Sequence, residues 1–230
     1  MGTVYEGEAV HLGSALVAVK ETLFTEAWLR EQLQQEAFML ASLCHPALPK
    51  VSDHFIDGAG QFLVMEFIPG QDLESLLKNS RVREKAPFDW RQVLAWADQL
   101  LDALEYMHSQ RPPVIHRNIK PKNLKLTSDG ELFLIDFGLT EDRTALTKSL
   151  RNAHAHMLSY APPEQIKGIG TDARSDVYSL GATLHHLLTG EIPDNARLRE
   201  EMIGHGLPDP LNSVPAFRAR ALPQPDEAAS

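Results

Sequence analysis

The first third of the chain carries two short runs typical of β-strands, with one stretch of helical periodicity between them. Residues 16–20 (LVAVK) and 61–67 (QFLVMEF) are rich in branched and aromatic side chains and are bounded by turn-forming residues. In residues 25–43 apolar side chains recur three or four positions apart, and Thr25 is placed to cap the start of a helix. This pattern predicts a small sheet with one helix.

After Pro69-Gly70 the hydrophobic period changes from two to about 3.6, which predicts a boundary between two lobes. Residues 89–108 give the clearest helical pattern, with Asp89 as the cap. Its predicted apolar stripe consists of Val93, Ala97, Leu100, Leu101 and Leu104. A second helix is predicted over residues 175–189, because Gly190 and Pro193 end it. The second lobe is therefore expected to be mainly helical.

Between these two helices, residues 124–126 and 132–135 are short apolar segments joined by Ser128-Asp129-Gly130, a pattern typical of a β-hairpin. Beyond Leu207 the chain is rich in proline, which favours a loose tail. The predicted fold class is α+β with two lobes. Residues 1–68 form the lobe with the sheet, residues 69–206 form the helical lobe, and residues 207–230 form a flexible tail.

Charge and cysteine content narrow the classes of function. The chain has 22 Lys and Arg against 31 Asp and Glu, a formal net charge of -9, which argues against nucleic acid or anionic lipid as a partner. Its single cysteine, Cys44, allows no internal disulfide and is expected in the core of a cytoplasmic protein. No signal peptide is recognisable, and no run of about 18 apolar residues predicts a membrane span.

Several separated motifs carry candidate chemistry. In chain order they are residues 17–20 (VAVK), Glu36 on the predicted helix, residues 116–123 (HRNIKPKN), residues 136–138 (DFG), residues 161–164 (APPE) and residues 175–181 (SDVYSLG). In this order and on these element types they resemble the protein kinase family, specifically the bacterial members of the eukaryotic-type serine/threonine kinases. The resemblance extends to about Gly190 and implies a two-lobed kinase fold, with an antiparallel sheet in the first lobe.

The resemblance implies phosphoryl transfer from ATP with Mg2+, a reaction catalysed mostly by positioning and neutralising phosphate charge. Lys20 is then expected to contact the α- and β-phosphates, with Glu36 paired to its ammonium group. Glu31 is the nearest alternative to Glu36. Asp136 and Asn123 are expected to hold Mg2+, because hard oxygen ligands suit that ion.

Further site residues follow from the same resemblance. Lys120 matches the lysine that serine/threonine kinases place near the γ-phosphate, and Asp176 matches the residue that anchors the backbone of the catalytic loop. The implied ATP-binding residues, besides Lys20, are Gly2, Val4, Ala18, Met65, Glu66, Phe67 and Ile68. Met65 is the implied gatekeeper, and the three residues after it form the hinge that binds adenine through backbone groups.

The chain departs from the family pattern at the catalytic base. Position 118 is expected to be aspartate, which accepts the proton of the substrate hydroxyl, and here it is Asn118. An amide accepts a hydrogen bond but is too weak a base to accept the proton. Loss of a general base costs about 10² to 10⁴ in rate, so we expect severe impairment of catalysis.

Three other departures concern segments around the site. The chain begins at what resembles the third glycine of the glycine-rich loop, Gly2, so the first strand of the family is expected to be missing. Met157 stands where related kinases carry a threonine that donates a hydrogen bond near the base. The chain ends before the last helices of the family's large lobe, which suggests truncation at both ends.

Arg117 indicates a kinase whose activation segment is ordered by phosphorylation, since a guanidinium group binds phosphate bidentately. The candidate acceptors are Thr144, Thr147 and Ser149, each of which is equally well explained as an ordinary loop hydroxyl. Two functions remain open at this point. The chain is either a serine/threonine protein kinase that acts on a protein substrate, or a pseudokinase that binds nucleotide or a partner kinase as a regulatory module.

Overall fold

A computed structural model describes residues 3–10, 13–23, 27–58, 60–81, 88–138 and 158–212 of the 230-residue chain. Two sheets and six α-helices are present in these segments. The first lobe is built on a four-stranded antiparallel sheet with the strand order β1-β2-β4-β3. Its strands are β1 (Thr3–Ala9), β2 (Ala15–Leu23), β3 (Val51–Asp57) and β4 (Gly60–Glu66). The predicted α+β fold class is confirmed.

One helix, α1 (Ala27–Ala41), lies between β2 and β3 in the chain. Its buried residues Leu33, Ala37 and Leu40 recur at helical spacing, as the sequence predicts. Gln61 on β4 donates a hydrogen bond from Nε2 to the carbonyl of Leu33 at 2.9 Å. This buried polar contact fixes α1 against the sheet. The predicted cap of this helix, Thr25, lies outside the described residues.

The second lobe is mainly helical, as predicted. Its helices are α2 (Leu73–Arg81), α3 (Trp90–His108), α4 (Pro163–Lys167), α5 (Ala173–Thr189) and α6 (Ala196–Gly204). Short 3-10 turns occupy Pro121–Asn123 and Pro210–Asn212. Helices α3 and α5 pack together and bury the side chains that join them to the core.

The ends of α3 and α5 test the capping predictions. Asp89 accepts a hydrogen bond from the backbone N–H of Arg91 at 2.8 Å, which confirms it as the cap of α3. Leu101, predicted in the buried stripe of α3, is instead 47% exposed, because it lies at the edge of that stripe. Helix α5 begins two residues earlier than predicted, since Asp172 and Ser175 form a reciprocal capping box. Its predicted end is confirmed at Gly190.

The hairpin predicted between the two long helices is confirmed. β6 (Leu124–Leu126) and β7 (Leu132–Leu134) pair antiparallel, and β5 (Gln71–Asp72) adds a third strand beside β6. Gly130 closes the turn with a φ of 86° and donates from its backbone N–H to the carbonyl of Thr127 at 3.1 Å. This small sheet lies directly beside the loop that carries residues 116–123.

Two expectations about individual segments need correction. Cys44 is exposed rather than buried, because it lies in the loop after α1 instead of on a core-facing element. Asp209, which the sequence assigns to the loose tail, accepts two hydrogen bonds from Arg199 at 3.0 and 2.6 Å, so this part is bound to α6. Residues 213–230 lie outside the described residues. Of the helices that the structure describes, none combines the length and the apolarity needed to cross a membrane.

Candidate active site

The sheet of the first lobe places four predicted site residues on one face. Val4 on β1 lies opposite Lys20 on β2, and Ala18 on β2 lies opposite Met65 on β4. Directly opposed residues in an antiparallel pair point to the same side, and residues two apart on one strand also share a side. The side chains of Val4, Ala18, Lys20 and Met65 therefore share one face of the sheet.

From this face, Lys20 reaches the loop that follows β7. Its Nζ donates to Oδ1 of Asp136 at 2.5 Å and to the carbonyl of Phe137 at 3.0 Å. Burial by itself raises the pKa of Asp136, but the ammonium groups of Lys20 and Lys120 outweigh burial and lower that pKa below its usual value. Asp136 is therefore ionised at neutral pH, in direct contact with a lysine of the other lobe.

The expected ion pair between Lys20 and Glu36 is not formed. The carboxyl group of Glu36 on α1 makes no hydrogen bond or ion pair with another described residue, and Lys20 binds Asp136 instead. Burial raises the pKa of Glu36 to about 8, although the positive charges of Arg117 and Lys20 oppose the shift. With Lys20 bound to Asp136, the carboxyl group of Glu36 is thus buried, without an ion-pair partner among the described residues, and protonated at neutral pH.

Asp176 on α5 anchors the loop of residues 116–123, as the resemblance implies. Its fully buried carboxylate accepts hydrogen bonds from the backbone N–H groups of His116 and Arg117, both at 2.8 Å. It also contacts Nε2 of His108 on α3 at 2.8 Å. Arg117 has a φ of 63°, a conformation that costs free energy for any residue other than glycine. The hydrogen bonds to Asp176 hold this strained turn and so fix the position of Asn118.

His116 supports the same loop from inside the core. Burial lowers the pKa of His116 to about 4, so the ring is neutral at physiological pH. Its Nδ1 accepts a hydrogen bond from the backbone N–H of Asn118 at 3.3 Å, and its ring lies 4.7 Å from the ring of Phe137. The ring therefore connects the loop of Asn118 to the segment that carries Asp136.

Asn118 lies beside Asp136. Its Nδ2 donates to Oδ2 of Asp136 and to the main-chain carbonyl of Asp136, each at 3.2 Å. An aspartate at position 118 has no N–H with which to make these contacts, so the arrangement depends on the amide. The substituted residue is thus a donor to its neighbour rather than a proton acceptor.

The residues expected to hold Mg2+, Asp136 and Asn123, both carry oxygen atoms of the kind that this ion prefers. Both carboxylate oxygens of Asp136 accept hydrogen bonds from nitrogen donors of the chain itself. Asn123 is buried and donates from Nδ2 to the carbonyl of Asn118 at 2.7 Å, which leaves its Oδ1 as one neutral oxygen. Magnesium requires near-octahedral oxygen coordination. Asn118 bonds to both residues, so the carboxylate of Asp136 and Oδ1 of Asn123 would hold such an ion together with phosphate oxygens and water.

The predicted hinge follows β4 directly. Ile68 is buried, and its carbonyl accepts a hydrogen bond from Nζ of Lys125 at 2.7 Å. The ammonium group of Lys125 also lies 5.1 Å from the centre of the Phe67 ring. The backbone N–H of Ile68 donates to no other described residue, so it remains a donor for a ligand at this edge. Lys125 was not predicted as a site residue, because it carries no motif and acts through its position on β6.

Two side chains of the second lobe support the loop of residues 116–123 without having been predicted. Gln165 on α4 donates from Nε2 to the carbonyl of Arg117 at 2.9 Å. Thr171 accepts a hydrogen bond from Nε of Arg117 at 2.9 Å. Gln165 follows the APPE motif directly, which is the sequence signal that could have identified it. Glu164 of that motif accepts a hydrogen bond from the hydroxyl of Ser175 at 2.6 Å.

Several predicted site residues lie outside the described residues. These are Gly2, Thr144, Thr147, Ser149 and Met157. Lys120 is described and half-buried, and its charge acts on Asp136. The structure thus brings together Lys20, Asn118, Lys120, Asn123 and Asp136 between the sheet of the first lobe and the loops of the second.

Comparison with known proteins gives a consistent picture. A family profile described as the protein kinase domain matches residues 1–213. A probable serine/threonine-protein kinase PknB of Lactococcus lactis is 32% identical over 196 residues, which are 84% of this chain and 30% of that protein. Serine/threonine-protein kinase A of a Synechocystis species is 33% identical over 208 residues, 84% of this chain and 39% of that protein.

A probable serine/threonine-protein kinase of Streptomyces coelicolor is 34% identical over 201 residues, covering 84% of this chain and 29% of that protein. The chain therefore spans less than half the length of these curated relatives.

Proposed function

This chain belongs to the protein kinase family, and from that premise we propose that it binds ATP between its two lobes and transfers phosphate to serine or threonine of a protein substrate slowly at most. The contact between Lys20 of the sheet and Asp136 of the second lobe carries the proposal. Phosphate groups are bound by lysine side chains as point charges, and Lys20 lies on the face that also presents Val4, Ala18 and Met65.

The apolar part of that face suits the adenine ring. Val4 is 57% exposed, which leaves its side chain available to a flat ligand. The N–H of Ile68 supplies a donor at the edge of the same region. A site with apolar walls and a few directed polar groups is typical of small-ligand recognition, which supports adenine binding here.

The slow rate follows from Asn118. The amide cannot take up the proton of a substrate hydroxyl, and its N–H group is already directed at Asp136. Lys120 is retained and its charge reaches Asp136, so electrostatic stabilisation of the transferred group is not abolished. We expect residual rather than efficient transfer, with Thr144, Thr147 and Ser149 as candidate acceptors in the chain itself.

A second function is favoured by the same residue. A chain with an intact phosphate-binding lysine and without a catalytic base is suited to act as a nucleotide-dependent module that binds a partner kinase. In that case the chain acts through its conformation rather than through a reaction. The arrangement of its lobes differs with and without nucleotide, and the partner kinase recognises that difference.

The two functions are separated by measuring transfer of labelled phosphate from ATP to a generic protein substrate. The assay compares the chain, its Asn118→Asp variant and a Lys20→Met control. We expect weak transfer by the chain and a rate increase of about 10² or more in Asn118→Asp, the typical contribution of a general base. Transfer as fast by the chain as by Asn118→Asp contradicts the impairment. ATP binding without transfer in either protein favours the regulatory module.

A further inference from the structure

We propose that the side of the first sheet turned away from Lys20, here called the outer face, binds a basic segment of a partner protein that also carries apolar side chains. The proposal goes beyond ATP binding and does not depend on it. It is supported by the strand pairing, by the exposure of aromatic side chains and by the sign of the charges on this face.

The strand pairing shows which side chains form the outer face. Directly opposed residues of an antiparallel pair point to one side, whereas successive residues of a strand point to opposite sides. Lys20 lies opposite Val4 and Leu63 on the side of the candidate active site. Its neighbours Val19 and Glu21 therefore point to the outer face. The apolar side chains that share the outer face with Val19 are Tyr5, Val17, Leu23, Phe55, Phe62 and Val64.

Apolar side chains of the outer face are exposed on both edge strands of the sheet. Tyr5 on β1 is 49% exposed, and Phe55 on β3 is 45% exposed. On β2, between these edges, Leu23 is 65% exposed. The ring of Phe55 stacks on that of Phe62, with 5.0 Å between the ring centres and 12° between the ring planes. Exposed apolar surface that extends across a sheet is typical of interaction sites, in which aromatic side chains often contribute much of the binding energy.

The charged side chains of the outer face are all acidic. They are Glu21, Asp53, Asp57 and Glu66, and none of them forms an ion pair with another described residue. The four described strands contain a single lysine, Lys20, and no arginine, and Lys20 points to the opposite side. The carboxylates lie among the apolar side chains, since Glu21 is opposite Phe62 and Asp53 is opposite Val64. The outer face thus combines aromatic rings with unpaired negative charge.

This combination determines the chemistry of the partner. Unpaired carboxylates repel the phosphates of nucleic acid and of anionic lipid, and two copies of this chain paired through the outer face would bring like charges together. Lysine or arginine side chains neutralise the carboxylates, while apolar side chains of the same segment cover Phe55 and Phe62. A basic, apolar protein segment is therefore the ligand that fits this face.

The outer face and the candidate active site lie on opposite sides of the same strands. Ala18 and Met65 point to the site, and their neighbours Val19 and Val64 point to the outer face. A partner on the outer face therefore leaves the nucleotide site open, so the two kinds of binding can be measured separately.

The experiment measures the fluorescence anisotropy of a short labelled peptide in which lysine alternates with phenylalanine and valine. This peptide contains no hydroxyl side chain, so it cannot serve as a phosphate acceptor. One control peptide replaces every lysine with glutamate, and another replaces every apolar residue with asparagine. We expect saturable binding of the basic apolar peptide, weaker at high salt than at low salt, and binding at least about tenfold weaker for each control peptide.

Aromatic variants of the chain locate the bound peptide. Phe55→Ser removes an exposed ring from the outer face and should weaken binding of the basic apolar peptide at least about tenfold. Phe38→Ser removes a ring that is 65% exposed on α1, away from the outer face, and should bind the peptide as the parent does.

Charge variants test the acidic side chains in the same way. Asp53→Asn combined with Asp57→Asn should weaken peptide binding about threefold or more and reduce its dependence on salt. Glu31→Gln combined with Glu105→Gln removes two exposed charges from α1 and α3, and this pair should leave peptide binding unchanged. If Phe55→Ser does not fold, the charge variants and the control peptides decide the question.

Three results would overturn the proposal. The first is an absence of saturable binding by the basic apolar peptide, or binding no tighter than that of the acidic peptide. The second is an equal loss of binding in Phe55→Ser and Phe38→Ser. The third is dimerisation of the parent in sedimentation that Phe55→Ser abolishes, which would make a second copy of the chain the occupant. ATP should raise the Tm of Phe55→Ser as much as that of the parent, so a failure of ATP binding is seen separately from a failure of peptide binding.

Discussion

Glu36 differs in its chemistry from an ordinary glutamate on a helix surface. Burial raises its pKa to about 8, against 4.5 for the ordinary side chain, and its carboxyl group has no hydrogen-bond partner among the described residues. The folded protein therefore binds a proton at Glu36 over a pH range in which the unfolded chain has released it. The carboxyl group contributes most to stability at low pH, and this contribution is lost as the pH rises through about 8.

The pH dependence of stability tests this assignment. The pKa of His116 is lowered to about 4, so this residue makes the free energy of unfolding rise with pH. It does so only between its folded pKa and the ordinary value of 6.5. Between pH 6.5 and about 8 we therefore expect the free energy of unfolding to fall because of Glu36, and to level off above that pH. The Glu36→Gln side chain keeps the shape of glutamate and carries no charge. At pH 9 its free energy of unfolding should exceed that of the parent by at least about 1.4 kcal/mol, the equivalent of one pKa unit.

Urea denaturation at a series of pH values provides the measurement for Glu36. Glu31→Gln, exposed on the same helix, is the matched control and should leave the pH profile unchanged. Parallel profiles for the parent and Glu36→Gln would show that the carboxyl group is not protonated in the folded state.

At the residue scale, the sequence predicted which residues lie at the candidate site better than it predicted which of them contact each other. Lys20 and Asp136 were found through their motifs and lie together as expected. The predicted partner of Lys20, Glu36, differs from the observed partner, Asp136, because pairing between side chains of different elements depends on tertiary packing, which no local pattern encodes. The prediction that Cys44 is buried was wrong for a related reason, since residue type alone does not show that this cysteine lies in a loop at the surface.

At the scale of elements, caps and turns explain where the predictions succeeded. The role of Asp89 as the cap of α3 was predicted correctly because this residue directly precedes a clear apolar stripe. The start of α5 was placed two residues late, although Asp172 followed by Ser175 at the third helical position is itself a recognisable capping box. Helix α6 was not predicted, because its charged sequence has only a single buried residue, Ala196.

Gly70 connects the two lobes and permits the close pairing of β5 with β6. Its φ is 107°, and a Cβ there would collide with the carbonyl oxygen of Leu126 and lie 2.9 Å from the carbonyl carbon. Backbone atoms of a paired strand cannot move aside without breaking the pairing. We expect Gly70→Ala to destabilise the protein strongly and to distort the segment that follows the hinge.

Gly130 provides the matched control for Gly70. It also has a positive φ, of 86°, but a Cβ there has no atom within 4 Å. Gly130→Ala should therefore cost only the conformational strain, about 1–2 kcal/mol. In thermal or urea denaturation, the free energy of unfolding of Gly70→Ala should be at least about 2 kcal/mol lower than that of Gly130→Ala, which is within the range of large steric substitutions. Equal losses in the two variants would show that the collision is relieved by backbone movement.

At the scale of the whole molecule, side chains far apart in the sequence join the lobes. The backbone N–H of Cys44 donates to the hydroxyl of Tyr106 at 2.9 Å, and His45 contacts Asp102 at 3.1 Å. The N–H of Leu134 donates to the carbonyl of Ala47 at 2.8 Å. These contacts cross about 60 or more positions in the chain. The periodicity of apolar residues indicates which face of a single helix or strand is buried. It could therefore predict two lobes but not the contacts between them.

Because the proposed ATP site is formed by both lobes, nucleotide binding there should stabilise the molecule as a unit. At an ATP concentration of 100 times Kd, linkage gives about 2.7 kcal/mol, which corresponds to a rise in Tm of about 5–10 °C for a chain of this size. Lys20→Met removes the ammonium group that bridges the sheet and Asp136, and it should lose most of this rise at the same ATP concentration. Lys78→Met, whose side chain is 69% exposed on α2, should keep it. A full ATP-dependent shift in Lys20→Met would place the nucleotide away from the face that carries Lys20.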